Sequence, residues 1–164
     1  MEEAVEIEVG AVRLEARLAY PSAPRAGVAL CHPHPLYGGD MDNPVVVRAA
    51  EVCREAGLAT LRFNFRGVGN SGGIHDRGEG EQEDVRGALV LLEKALGPAA
   101  PLGVIGHSFG AWVGSRVACA HDRVSAVAAI APPLAFYDFG FLSACRPILL
   151  LLAWGACTAL VGWR

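Results

Sequence analysis

A chain of 164 residues with 14 basic and 17 acidic side chains, net −3, can bury one core without metal or disulfide staples and is too short for two. Its Lys and Arg residues form no stripe that could neutralise several phosphates, which excludes nucleic acid as an expected partner. Of the five cysteines, Cys31, Cys53 and Cys119 fall in apolar runs without C-x-x-C spacing, so buried free thiols in a reducing, cytoplasmic setting are expected, and the acidic, alternating start MEEAVEIEVG is unlike a secretory signal.

In chain order, AVEIEVGAVRLEARLAY alternates apolar and polar residues about Gly10. This predicts an antiparallel hairpin with Val5, Ile7, Val12, Leu14 and Leu18 in its strands, closed by residues 21–25. From residue 27 the pattern changes to apolar strand, glycine-bearing loop and helix, repeated. Strands are expected at 27–31, 58–65, 102–106, 124–131 and 147–153, and helices at 43–57, 81–97 and 108–122. Asn43-Pro44 opens the first helix, the acidic Glu81, Glu83 and Asp84 suit the N-terminal dipole of the second, and Gly57 and Gly97 end these two. The alternation implies an α/β fold, a mostly parallel sheet covered on both faces, with 1–164 as one domain, 27–153 its core and 154–164 an atypical apolar tail. The run from Ile148 to Trp163 is uncharged but shorter than the roughly 20 residues of a membrane span, so a buried strand or core helix is expected there and no membrane partner.

In such a sheet the loops at the carboxyl ends of the strands meet along one edge, where ligands bind. Four loops gather there: HPHPLYGGDMD, RGVGNSGGIHDRGEG, GHSFG and PPLAFYDFGFLSAC. The first carries His32 and His34 at i and i+2, with no third ligand at a suitable spacing and prolines that fix an extended turn, so no metal is expected. The second contains Gly67-x-Gly69-x-x-Gly72, yet it follows the second parallel strand and residues 74–80 still read as loop. Its glycines therefore do not open a helix onto a pyrophosphate, and no nucleotide cofactor is expected. The third, Gly106-His107-Ser108-Phe109-Gly110, has an apolar strand before it and a small-residue helix after it. That context sets a serine on a sharp strand-to-helix turn with its hydroxyl clear of the sheet, a candidate nucleophile.

Three ordered motifs, H-P-H-P-x-x-G-G, F-R-G-V-G-x-S and G-H-S-F-G, resemble those of small, lidless bacterial members of the α/β-hydrolase superfamily over residues 27–147. The resemblance implies the α/β-hydrolase fold and hydrolysis of carboxylic esters or related acyl bonds, with Ser108 as nucleophile. It further implies an oxyanion hole built from the Phe109 N–H and a donor among His34, Leu36 and Tyr37, since Pro33 and Pro35 have no N–H to give. The family order is Ser, then Asp or Glu, then His, and this sequence departs from it: after Asp138 there is no Asp, Glu or His. His121 lies 13 residues along the helix from Ser108, roughly 20 Å away at 1.5 Å per residue, and is excluded as a base. His107 neighbours the serine but is expected to point away, whereas His32, His34 and His75 lie on loops at the right edge. His34 is the candidate substitute base and Asp138 the candidate acid to orient it. The apolar tail, where the family has a charged loop, helix and strand, reads as a truncated or frame-shifted end. Two functional classes result: an esterase-like serine hydrolase for a small-molecule ester, or a non-catalytic module of the same fold that binds a small ligand or a partner. With 147–153 as the last strand, its unpaired edge predicts a homodimer or other self-association.

Overall fold

The computed structural model describes residues 2–152. The alternating N-terminal segment pairs with itself as expected: β1 (Glu2–Val9) and β2 (Val12–Ala19) run antiparallel with Val9 opposite Val12 across the Gly10 turn. Five further strands follow, β3 (Gly27–Cys31), β4 (Ala59–Phe63), β5 (Leu102–His107), β6 (Val124–Ile130) and β7 (Ile148–Leu152). All seven form one sheet in the order β1-β2-β4-β3-β5-β6-β7. β2 pairs antiparallel with β4, and every pair from β4 to β7 is parallel. The apolar run of β3 has a simple cause: the strand is buried on both faces, whereas β4, equally buried, carries Thr60 and Arg62, the latter paired with Glu2.

Helix α1 (Pro44–Glu55) covers one face, where Val46, Ala50 and Cys53 pack on Val28 and Leu30. On the other face α2 (Glu79–Leu96) and α3 (Phe109–Cys119) pack on Ala29, Cys31, Leu61 and Phe63. The Asn43 side chain caps α1 by accepting from the Val45 N–H, with Pro44 at the first helical position. α2 starts two residues before the acidic cluster that suggested it, because the Glu81 carboxylate folds back to accept the Gly78 N–H at 2.7 Å and so closes the helix entrance.

The segment between β6 and β7 runs down α3 as a strap. Tyr137 stacks on Trp112 with centroids 4.4 Å apart, the Asp138 carbonyl accepts from the Trp112 indole N–H at 3.0 Å, and the Arg116 guanidinium lies over both Trp112 and Phe141. At the far end Cys145 is disulfide-bonded to Cys119. This corrects the expectation of a free thiol at Cys119; Cys31 and Cys53 are free and buried. A bonded pair is typical of oxidising surroundings, so the cysteines no longer argue for a reducing compartment.

β7 is the outer strand of the parallel half among the described residues. This corrects the expectation of a buried element there: Ile148, Leu150, Leu151 and Leu152 are exposed because no described element covers β7, and Leu150 and Leu152 line, with Ile105, Ala128 and Val52, an apolar groove of about 560 Å³ beside α1. The remainder of the uncharged run, and the tail expected at 154–164, lies outside the described residues. Among the described residues no helix is long and apolar enough to cross a membrane.

Candidate active site

β5 ends at His107 and α3 begins at Phe109, so Ser108 is the single residue of the turn between them. It holds φ 54° and ψ −117°, one of three non-glycine residues with positive φ among the described residues. Such a conformation costs about 1–3 kcal/mol and persists only where the surroundings impose it. Here they do. A Cβ on Gly106 would collide with the Gly110 carbonyl, and one on Gly110 would collide with the Cys31 and His32 carbonyls at the end of β3. The two glycines thus let α3 start directly against the end of the neighbouring strand, and the serine takes up the turn that remains.

The Phe109 N–H, first in α3, has no hydrogen-bond partner among the described residues, and neither has the His34 N–H. Leu36 and Tyr37 differ. The Leu36 N–H donates to Nδ1 of His34 at 3.2 Å and the Tyr37 N–H to the His34 carbonyl at 3.1 Å, closing a 3-10 turn over Pro35–Tyr37. Of the three expected loop donors, His34 is therefore the one whose N–H is available. The same cap assigns the His34 ring: an Nδ1 that accepts leaves the ring proton on Nε2. As a base, His34 would have to exchange that proton and give up the Leu36 bond. Its pKa is lowered by burial first and by the charge of His75 second.

Other residues of the sequence reading have structural employment. His32 is fully buried, with Nδ1 2.6 Å from the Pro33 carbonyl and Nε2 accepting from the Phe65 N–H at 3.0 Å; both ring nitrogens are spent joining the ends of β3 and β4. Burial pushes its pKa down to about 4. The glycine loop at 67–72 closes on the N-terminal hairpin: the Asn70 N–H and amide donate to the Glu15 carboxylate, and the Gly72 N–H to the Arg13 carbonyl. The Asn70 N–H above all, with the Asn64 and Asn70 side-chain amides, holds the Glu15 pKa below the usual carboxylate range. Arg66, next in the motif, makes a bidentate pair with the buried Asp84 of α2. Asp138 is exposed and accepts the Gly140 N–H at 2.7 Å, a turn cap. His121 lies beyond the end of α3 and accepts from the Arg123 N–H. His107 has a buried Nδ1 without a partner among the described residues, and burial lowers its pKa.

The sequence reading missed the partner of His75. Its Nδ1 lies 2.7 Å from Oε1 of Glu81, ion-pair distance although the ring N–H is not aligned for a hydrogen bond. Glu81 is fully buried and accepts from the Asp76 and Gly78 N–H groups. The His75 ring in turn lies 4.9 Å from that of His34 and 5.6 Å from that of Phe109, centroid to centroid. The only signal in the sequence was the position of Glu81, three residues after a glycine that ends a loop, which reads equally as a dipole acid.

This geometry has counterparts. Residues 34–150 match the family described as alpha/beta hydrolase fold. An uncharacterized protein of Rickettsia prowazekii is 41% identical over 137 residues, which are 81% of this chain and 58% of that protein. Among solved structures, a serine hydrolase homologue from Coxiella burnetii superposes with a TM-score of 0.82 at 37% identity, covering 91% of this chain and 72% of its own. A serine hydrolase without lid from Xanthomonas campestris gives 0.78 at 29%, covering 93% and 84%. The strand order, the strained serine between close-packed glycines and a match over residues 34–150 agree, and the chain belongs to the alpha/beta hydrolase fold family.

Proposed function

We propose that the chain carries the nucleophile and oxyanion hole of a serine hydrolase acting on carboxylic esters or related acyl bonds of small molecules. The observation that carries this is Ser108 at positive φ on the β5–α3 turn, followed by the Phe109 N–H, which, like the His34 N–H, has no hydrogen-bond partner among the described residues. Ser108 Oγ attacks the acyl carbon, the carbonyl electron pair moves onto oxygen, and that oxyanion takes hydrogen bonds from the Phe109 and His34 N–H groups. The proton lost from Ser108 Oγ passes through solvent to the leaving oxygen, so collapse of the tetrahedral species expels the alcohol and leaves an acyl-serine, which water hydrolyses to the acid and free Ser108. The serine hydrolase relatives from Coxiella burnetii and Xanthomonas campestris support this reading. The chain spans 58% of the Rickettsia relative, so it is the nucleophile-bearing part of that length that is assigned here.

One observation favours a second reading. The described residues set no carboxylate–imidazole pair on the β6–β7 side of Ser108. A fold member without an activated serine would bind a small ligand or a partner without turning it over. A fluorophosphonate probe separates the two. Labelling of the folded chain that disappears in Ser108→Ala supports the hydrolase; a folded chain that stays unlabelled supports the binding module.

A further inference from the structure

We propose that Glu81 and His75 are positioning residues for the oxyanion-side loop, acting through His34. The inference rests on the hydrolase reading above and adds a support on the β4–α2 side that the motifs do not contain. Glu81 sits with its carboxylate fully out of solvent, where a charge is tolerated only if it is paired and hydrogen-bonded. Two backbone N–H groups and His75 provide that. The pair fixes the His75 ring, only 12% of whose side chain is exposed, in a position 4.9 Å from the His34 ring. His34 is thereby held between His75, Phe109 and Tyr37, with centroid separations of 4.8–4.9 Å. With its ring so placed, His34 Nδ1 can accept the Leu36 N–H, and this bond caps the turn whose first residue carries the N–H assigned to the oxyanion hole. The order of support is carboxylate, imidazole, imidazole, backbone.

The titratable groups facing His34 are His75 from the β4–α2 loop, Glu81 from α2 and Tyr37 from its own turn; α3 presents the apolar Phe109. His34 must be neutral to accept from Leu36, so protonation undoes the turn as pH falls through its pKa. The charge of His75 lowers that pKa and the charge of Glu81 raises it. Replacing His75 by a neutral residue should therefore move the acid limb to higher pH, a shift that loss of packing alone does not produce.

The test uses the full chain and three variants, with the bimolecular rate of fluorophosphonate labelling followed across pH and the Leu36 amide followed by NMR. His75→Ala should slow labelling at neutral pH by about 10- to 100-fold, the size expected when a positioned donor shifts by about an ångström. His75→Phe, which restores a ring against His34, should recover most of that rate while its acid limb stays at higher pH. Glu81→Gln also removes the closure of α2 and is read only if its near-ultraviolet spectrum is native. Folded His75→Ala labelled at the parent rate, with an unmoved acid limb and an unmoved Leu36 titration, overturns the proposal and leaves the hydrolase reading standing. If the parent is never labelled but the Leu36 titration moves upward in His75→Phe, the hydrolase reading fails and the support of the loop stands.

Discussion

Gly106 and Gly110 hold Ser108 in its strained turn, so the test of that turn is steric. Gly110→Ala should cost about 3 kcal/mol, the upper part of the range for overpacking, because its Cβ meets the carbonyls of Cys31 and His32, which cannot yield as a side chain would. A thermal melt matching the parent would show that the strand end and the helix start are not in close contact. His32 gives a second residue-level expectation. Its folded pKa of about 4 lies below the ordinary histidine value, so at pH above about 6.5 it contributes no pH dependence. Between about 6.5 and 4 the unfolded chain takes a proton that the folded chain refuses, and stability falls by about 3 kcal/mol as pH drops through that window. Urea titrations at stepped pH should show this slope in the parent and lose it in His32→Gln. At this scale legibility divided by range. Ser108 was readable because its chemistry sits in five consecutive residues, whereas the Glu81–His75 pair depends on a loop folding back over the neighbouring helix start and left no local pattern.

The strands and helices were legible for a physical reason: burial on two faces writes a continuous apolar run into β3, and the hairpin, with one face turned to the core, writes alternation. The strap along α3 was not. Phe109, Trp112, Arg116 and Cys119 recur at three- and four-residue intervals on one helix face, but what covers that face arrives from the irregular segment before β7. The Cys119–Cys145 bond spans 26 residues with no spacing signature, which is why Cys119 read as a free thiol. Closing a loop of that length contributes about 3–4 kcal/mol by chain entropy. Cys145→Ser, or the parent in reductant, should accordingly melt about 10 °C lower, at roughly 2–4 °C per kcal/mol, with altered Trp112 fluorescence as the strap loosens. Alkylation finding four or more thiols in the unfolded, unreduced chain would contradict the bond.

For the whole molecule, a mostly parallel sheet with helices on both faces and an antiparallel N-terminal hairpin was contained in the sequence pattern, while the strand order was not; β7 is the outer strand among the described residues and its apolar side chains are exposed. We propose that this edge and the groove beside α1 pair with a second copy. Light scattering at tens of micromolar, on the order of ordinary working concentrations, should find a dimer or larger species that Leu150→Lys disperses; a monomer for the parent would count against it. Without an identified acid and base, turnover of activated esters should be slow, near the roughly 10³- to 10⁴-fold over water that an oxyanion hole and binding supply alone. Acylation needs less help than deacylation when the leaving group is good, so the acyl-enzyme should accumulate. The direct measurement is to incubate the chain with p-nitrophenyl acetate, digest it and locate the acetyl group by mass spectrometry. The expected result is one acetyl on the peptide containing Ser108, released with a p-nitrophenol burst and absent in Ser108→Ala; acetylation confined to other side chains, or equal in the variant, would contradict Ser108 as the nucleophile.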